Sequence, residues 1–366
     1  MVAPAQPSPM SKLISILAAE AIHLLKELIT TPSFSREEDQ TAGIIGLFFA
    51  NKGIAHFRIG NNIYASNKYF DESKPTILLN SHHDTVKPNK GYTKNPYNPE
   101  ISEGRLYGLG SNDAGGSLVS LLATFSYFYE RNDLNYNIVM VASGEEESSG
   151  LNGLNSMLQI IPPIDFAIIG EPTLMQLAIA EKGLLVLDCE AKGTSGHAAH
   201  GIGDNAIYKA IEDIHWFQNF EFPKESEMLG KVKITVTQIN AGNQHNVIPA
   251  TCNFVVDVRV TDAYSNKEVL EIVQSNVKCD VKARSLRLNS SSIPKNHPIV
   301  EAGIKMGRKT YGSPTLSDQA VLSCPSLKLG PGDSFRSHTA DEFIYVNEID
   351  EGIELYVKIL SEVLVP

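Results

Sequence analysis

Five short segments of this 366-residue chain carry side chains able to bind a metal or move a proton. The first, Ser81-His82-His83-Asp84, follows the apolar run Ile77-Leu78-Leu79. Residues i and i+2 of an extended chain face the same way, so His82 and Asp84 share a side, as a ligand and its orienting carboxylate would. The second is the glycine-crowded loop from Gly108 to Gly116, which holds Asp113. Glycine permits unusual backbone angles and close approach, so this carboxylate could be aimed at an ion. Read alone, Asp113 is as well explained as a helix cap. The third segment, Ser143-Gly144-Glu145-Glu146-Glu147, follows the apolar run Ile138–Val141. Three adjacent carboxylates repel one another unless a cation or solvent relieves them. One of them could bind a metal while its neighbour works as a base. The fourth is Gly170-Glu171-Pro172-Thr173, after Phe166–Ile169, and the fifth is Ser337-His338-Thr339-Ala340-Asp341-Glu342.

Each segment alone has an ordinary structural explanation. Together, two histidines and three carboxylates at the ends of apolar runs offer nitrogen and oxygen donors only, which suits a zinc-type pair of ions. Such ions share a carboxylate and sit about 3.5–4 Å apart.

The elements that must position these groups alternate. Residues 11–30 carry a helical period through Leu13, Leu17, Ile22, Leu25 and Leu28, stopped by Thr30-Thr31-Pro32. Ser35-x-x-Glu38 reads as a capping box for a second helix. Apolar strands alternating with helices such as 115–129 predict an α/β sheet, with ligands beyond the carboxyl ends of its strands. The middle of the chain changes character. Strand-like segments at Leu184–Glu190, Lys233–Ile239, Thr251–Val260 and 281–287, separated by helices at 204–219 and 265–276, give a β-α-β-β-α-β order. Asn289–Pro294 reads as a linker. The expected organisation is a catalytic domain in two parts, 1–179 and 290–366, with a second domain inserted at 180–289.

Composition narrows the class. With 31 basic and 42 acidic residues the net charge is −11, which argues against general affinity for nucleic acid or anionic membranes. No run of 18 apolar residues suggests a membrane span, and the opening Met1–Met10 does not read as a signal peptide. The four cysteines form no C-x-x-C pair, and Cys189 and Cys252 read as small core hydrophobes. A reducing, cytoplasmic setting is expected.

The ordered set His82-x-Asp84, Asp113, Glu145-Glu146, Glu171, His338 resembles the M20 metallopeptidase family, over nearly the whole chain from about residue 13. It is most similar to the branch of acetylornithine deacetylases and succinyl-diaminopimelate desuccinylases. The resemblance implies a mixed-sheet, zinc-aminopeptidase-like catalytic domain with an inserted ferredoxin-like dimerisation domain. It implies two divalent ions, zinc first, with cobalt or manganese as alternatives. His82, Asp113 and Glu171 would hold one ion, and Asp113, Glu146 and His338 the other. Asp84 would orient His82, and Glu145 would be the general base. This register aligns Gly144 with the family's usual Asp and leaves Glu147 a bystander; a one-residue slip within Glu145–Glu147 is the alternative.

In the inserted segment, Gly193-Thr194-Ser195-Gly196-His197 resembles the motif whose histidine reaches a partner subunit's site and steadies the oxyanion. Asn246 and Arg259 are the implied substrate contacts, with an ion pair to Asp257 the alternative for Arg259; Lys182 and Gly332 are further pocket candidates. The expected reaction is hydrolysis of an N-acyl amino acid by a homodimer, foremost N-acetylornithine to ornithine and acetate in arginine biosynthesis. N-succinylornithine, N-succinyl-diaminopimelate, or another aminoacylase or dipeptidase substrate is the alternative. A metal-free binding module is the reading from a different class.

Overall fold

The computed structural model describes residues 9–366, so the reading of the Ala- and Pro-rich opening lies, for residues 1–8, outside the described residues. The chain divides into two compact units. The first comprises the chain up to Ile179, Ile293–Tyr311 and Ser317–Pro366; the second comprises Ala180–Ser292 and Gly312–Leu316. The linker expected at 289–294 thus marks the end of the second unit. The return of Gly312–Leu316 to that unit carries no sequence signal.

In chain order, the first unit starts with helices α1 (Pro9–Ile29) and α2 (Asp39–Asn51). Strands β1 (Asn62–Ser66) and β2 (Thr76–His82), helix α3 (Gly116–Phe128), and strands β3 (Asn137–Ser143), β4 (Phe166–Ile169) and β5 (Leu177–Glu181) follow. The second unit is built on β6 (Gly183–Lys192), α4 (Ala206–Asn219), β7 (Lys233–Ala241), β8 (Thr251–Val260), α5 (Asn266–Asn276) and β9 (Asp280–Ala283). The chain then supplies β10 (Ser326–Lys328) and the last helix, α6 (Val346–Leu364), to the first unit.

Six consecutive strands of the nine-stranded main sheet run β1-β3-β2-β4-β10-β5. Its centre, β3-β2-β4-β10, is parallel, while β1 and β5 pair antiparallel. Every residue of β2 and β3 is buried, as expected of strands covered on both faces. Helix α1 turns Ile14, Leu17, Ala18, Ala21, Leu24, Leu25 and Leu28 inward at helical spacing, and Leu13 outward. It packs with α3 and α6, and α3 is itself buried on nearly all sides. Each fully buried Leu or Phe on these helices contributes about 1.5–3 kcal/mol relative to exposure. The parallel centre brings the carboxyl ends of β2, β3, β4 and β10 to one edge, where ligand sites of such sheets form.

The second unit has the predicted β-α-β-β-α-β order. Its four-stranded sheet, β7-β8-β6-β9, is antiparallel throughout. Alternate residues Leu185, Leu187, Cys189 and Ala191 of β6 and Cys252, Phe254, Val256 and Val258 of β8 are buried against Ala206, Ala210, Phe217, Val269 and Val273 of the two helices. Among the described residues no helix is long and apolar enough to cross a membrane, and all four cysteines are free.

Candidate metal centre

His82 is the last residue of β2, and Glu171 lies two residues beyond β4. Asp113 comes from the loop before α3, where the Asp113–Ala114 peptide bond is cis. Glu147 follows β3, and His338 sits on the chain before α6. Distant segments thus converge at the strand ends. His82, Asp113 and Glu171 present donor atoms that all lie within 4.8 Å of one another, and so do Asp113, Glu147 and His338.

Asp113 belongs to both triads, with its two oxygens pointing different ways. Oδ1 lies 3.3 Å from His82 Nε2, and Oδ2 lies 3.6 Å from His338 Nε2. His338 Nε2 is 3.0 Å from Glu147 Oε2. His82 Nε2 is 3.9 Å from Glu171 Oε1 and from Glu146 Oε2.

The register of the three glutamates departs from the sequence expectation by one residue: Glu147, not Glu146, stands with Asp113 and His338. The cause is local. Glu145 takes a left-handed backbone conformation (φ 57°) and donates its N–H to the buried Glu38 carboxylate at 3.0 Å. Its side chain turns back into its own loop and accepts from Asn152 Nδ2 at 2.9 Å. A Cβ at Gly150 would lie 1.9 Å from Glu145 Oε2, so only glycine allows this fold-back. Glu145, the expected base, therefore turns into its own loop rather than joining either triad. Glu146 lies near His82, within reach of the charges of Glu171 and Glu147.

Asp84 lies beside His82, with Oδ1 3.5 Å from Nδ1, although the Asp84 carbonyl accepts the closer contact, at 3.0 Å. The Asp84 carboxylate also accepts the N–H groups of Glu146 and Glu147, both at 3.1 Å, and the Ser35 hydroxyl at 2.6 Å. The capping box expected at Ser35-x-x-Glu38 is thus absent. Both residues serve the site: Glu38 precedes α2 without a side-chain cap bond and accepts instead from Arg36 N, Glu145 N and Asn61 Nδ2.

The electrostatics are those of carboxylates crowded into a dry place. Burial, then the charge of Asp113, pushes Glu171 up to about 8 against the opposing pull of His82. Burial likewise raises Glu146, helped by Glu171, Asp318 and Glu147. Burial lowers His82, but Glu146, Asp113 and Asp84 outweigh it and leave the imidazole well above its ordinary value. The bond to Glu147 lifts His338 to about 9.

Two divalent ions fit this donor set. Glu171 Oε1 is buried with no hydrogen-bond partner, and a buried carboxylate oxygen left so is costly unless a cation meets it. Nitrogen and carboxylate oxygen in threes are what zinc-type ions bind.

The remaining candidates belong to neither triad. His197 is exposed in the second unit, on a two-residue strand paired with Val247–Ile248, and Asn246 accepts from the adjoining Ala198 N–H. Arg259 bonds Asp257 through Nε and Nη2 at 2.9 and 3.2 Å, the structural alternative weighed for it. Lys182 Nζ donates to the Lys231 carbonyl. Gly332, in the first unit, has φ 92°, and a Cβ there would lie 2.6 Å from Asn112 Oδ1, so close packing already accounts for it.

A mixed α/β sheet carrying two donor triads that share one carboxylate defines a dinuclear metallohydrolase. Residues 78–362 match peptidase family M20/M25/M40, and the chain belongs to that family. The succinyl-diaminopimelate desuccinylase of Rickettsia bellii is 28% identical over 334 residues, spanning 83% of this chain and 84% of the relative. A probable carboxypeptidase of Paracoccidioides lutzii is 27% identical over 325 residues, spanning 82% and 72%. Among solved structures, a dinuclear metal-binding M20 peptidase of Bacillus subtilis superposes with a TM-score of 0.74 at 15% identity, covering 96% of this chain and 99% of that one. At that identity the likeness speaks to the fold.

Proposed function

We propose that this metallohydrolase cleaves the amide of an N-acyl amino acid, with N-succinyl-diaminopimelate as its first candidate substrate and succinate and diaminopimelate as products. The observation that carries the hydrolytic reading is Asp113, whose two oxygens serve two triads at once. His82, Asp113 and Glu171 would hold one ion, and Asp113, Glu147 and His338 the other. Bound there, two zinc ions, or cobalt or manganese in their place, would polarise an amide carbonyl and lower the pKa of water to about 7.

Glu146 is the general base of this reading. It lies beside both triads and belongs to neither, and burial raises its affinity for a proton. It would take the proton of the attacking water and return it to the leaving amine. Asp84 orients His82 and holds the Glu146–Glu147 backbone. Arg259, its guanidinium steadied by Asp257, is the proposed clamp for a substrate carboxylate. His197, next to Asn246 in the second unit, would donate to the oxyanion of a partner subunit, which makes the working form a homodimer. A cytoplasmic setting suits the four free cysteines.

The desuccinylase reading stands ahead of acetylornithine deacetylation because relatives that span 83% and 94% of this chain, and 84% and 95% of their own, bear the desuccinylase name. The test is product release from N-succinyl-diaminopimelate, N-succinylornithine and N-acetylornithine by zinc-loaded and chelator-treated protein. Metal-dependent release of succinate from the first is expected. Preferential acetate release would overturn the substrate, and hydrolysis unaffected by chelation would overturn the mechanism.

A further inference from the structure

The loop that delivers Asp113 is fastened to one residue outside both triads. Glu342 is buried, and its Oε2 accepts the N–H of Gly110 at 3.2 Å. Its Oε1 accepts the N–H groups of Asn112 and Asp113 at 2.9 and 3.0 Å. Its backbone carbonyl accepts a fourth N–H, that of Gly108, at 3.0 Å. The loop needs such an anchor, because it is irregular: Gly110 has φ 74° and Asp113 lies outside helical geometry. Unpaired backbone N–H groups buried here would each be costly.

We propose that Glu342 is the positioning residue of the shared ligand, acting through the backbone of the Gly110–Asp113 loop to set how the Asp113 carboxylate spans the two triads. With the N–H of Asp113 fixed on the Glu342 side, the carboxylate is left to face His82 with one oxygen and His338 with the other. Asp84 does the same for the neighbouring loop, receiving the N–H groups of Glu146 and Glu147. Two buried carboxylates thus hold two ligand-bearing loops by their amides. Neither an amide nor an aliphatic side chain can replace Glu342, because three donors converge on two accepting oxygens.

The inference rests on the two-ion reading of the site, and the experiment separates the two. Full-length apo protein is titrated with Co2+ and with Zn2+ at a temperature well below unfolding, alongside Glu342→Gln, Glu342→Asp and Val357→Ala. Val357 is a buried residue of α6 without a role in the site, and its truncation controls for loss of stability. Glu342→Gln keeps the shape but replaces one accepting oxygen with a donor. It is expected to weaken both ions by about tenfold or more, as loss of a ligand's supporting partner does, and to shift the visible Co2+ spectrum. Glu342→Asp keeps the charge on a shorter arm, should fall between, and serves if the amide variant does not fold. Val357→Ala should lower the unfolding temperature and leave affinity and spectrum unchanged. Wild-type affinity and spectrum in the Glu342 variants overturn the proposal, as does an equal loss in Val357→Ala. A wild-type chain that takes up no pair of ions overturns the two-ion reading itself, and this proposal with it.

Discussion

The backbone N–H of Glu147 donates to the carboxylate of Asp84 at 3.1 Å, and this bond helps decide which of three consecutive glutamates meets His338. The neighbouring N–H of Glu146 goes to the other Asp84 oxygen, and that of Glu145 to Glu38. The turn is pinned amide by amide, so the three side chains cannot exchange places.

The three glutamates should therefore give three different phenotypes. Glu146→Gln is expected to keep both ions and lose about 10²–10⁴ in kcat, the usual worth of a general acid–base group. Glu147→Gln should lose one ion. Glu145→Gln should retain the metal and disturb the 145–153 loop. Metal content by atomic emission, read with steady-state kinetics, checks all three; an inactive, metal-replete Glu145→Gln beside an active Glu146→Gln would return the base to Glu145.

Asp84→Ala leaves the Glu146 and Glu147 amides without their acceptor and His82 without its nearby carboxylate. Metal affinity should fall by about 10–100-fold, as for other supporting partners of metal ligands. Competition against a chromogenic chelator measures it.

Proton release should accompany metal uptake. His338, held near 9, and Glu171, near 8, must give up protons to become ligands. Affinity should rise from pH 6 to pH 9, and calorimetry in buffers of different ionisation enthalpy should record the released protons. Uptake without proton release would show that the ions bind elsewhere.

The metal-free protein should lose stability as pH rises. Both groups bind protons more tightly folded than unfolded, so folding takes up protons and stability falls wherever they titrate. The window runs from about 4.5 to 8 for Glu171 and from 6.5 to about 9 for His338. Thermal unfolding of the apo protein should move to lower temperature between pH 6 and 9, and bound zinc should remove most of that slope.

If His197 acts across a dimer, a mixture of inactive His197→Ala and Glu146→Gln chains should regain activity after subunit exchange. Each mixed dimer then pairs one intact Glu146 site with one intact His197. Size-exclusion mass measurement tests the dimer itself.

Much of the site was legible because the physics of an α/β sheet puts polar residues at the carboxyl ends of apolar strands. His82 and Glu171 stand at or just after such ends, and strands are readable from their apolar runs. The Glu145–Glu147 register was not legible, because three identical side chains in a turn offer no periodicity. What settles it comes from Glu38 and Asp84, distant in the chain, and from the room left at Gly150. Glu38 misled for a related reason: a Ser-x-x-Glu spacing fits a capping box, but the carboxylate accepts instead from Arg36 N two residues back and from the distant Glu145 N. Glu342 stood in the fifth segment, but its bonds to the Gly110–Asp113 loop were not legible, since those partners lie some 230 residues earlier.

The order of segments along the chain has a consequence for biosynthesis. His82, Asp113, Glu147 and Glu171 all precede the second unit, whereas His338 follows it. Strand β10, between β4 and β5 in the main sheet, is also made late. During translation the ribosome must therefore finish the entire inserted unit before the last ligand emerges. From Glu171 until His338, a little under half of its synthesis, a growing chain carries four of the five donors, and the complete set exists only when almost all of the chain has been made.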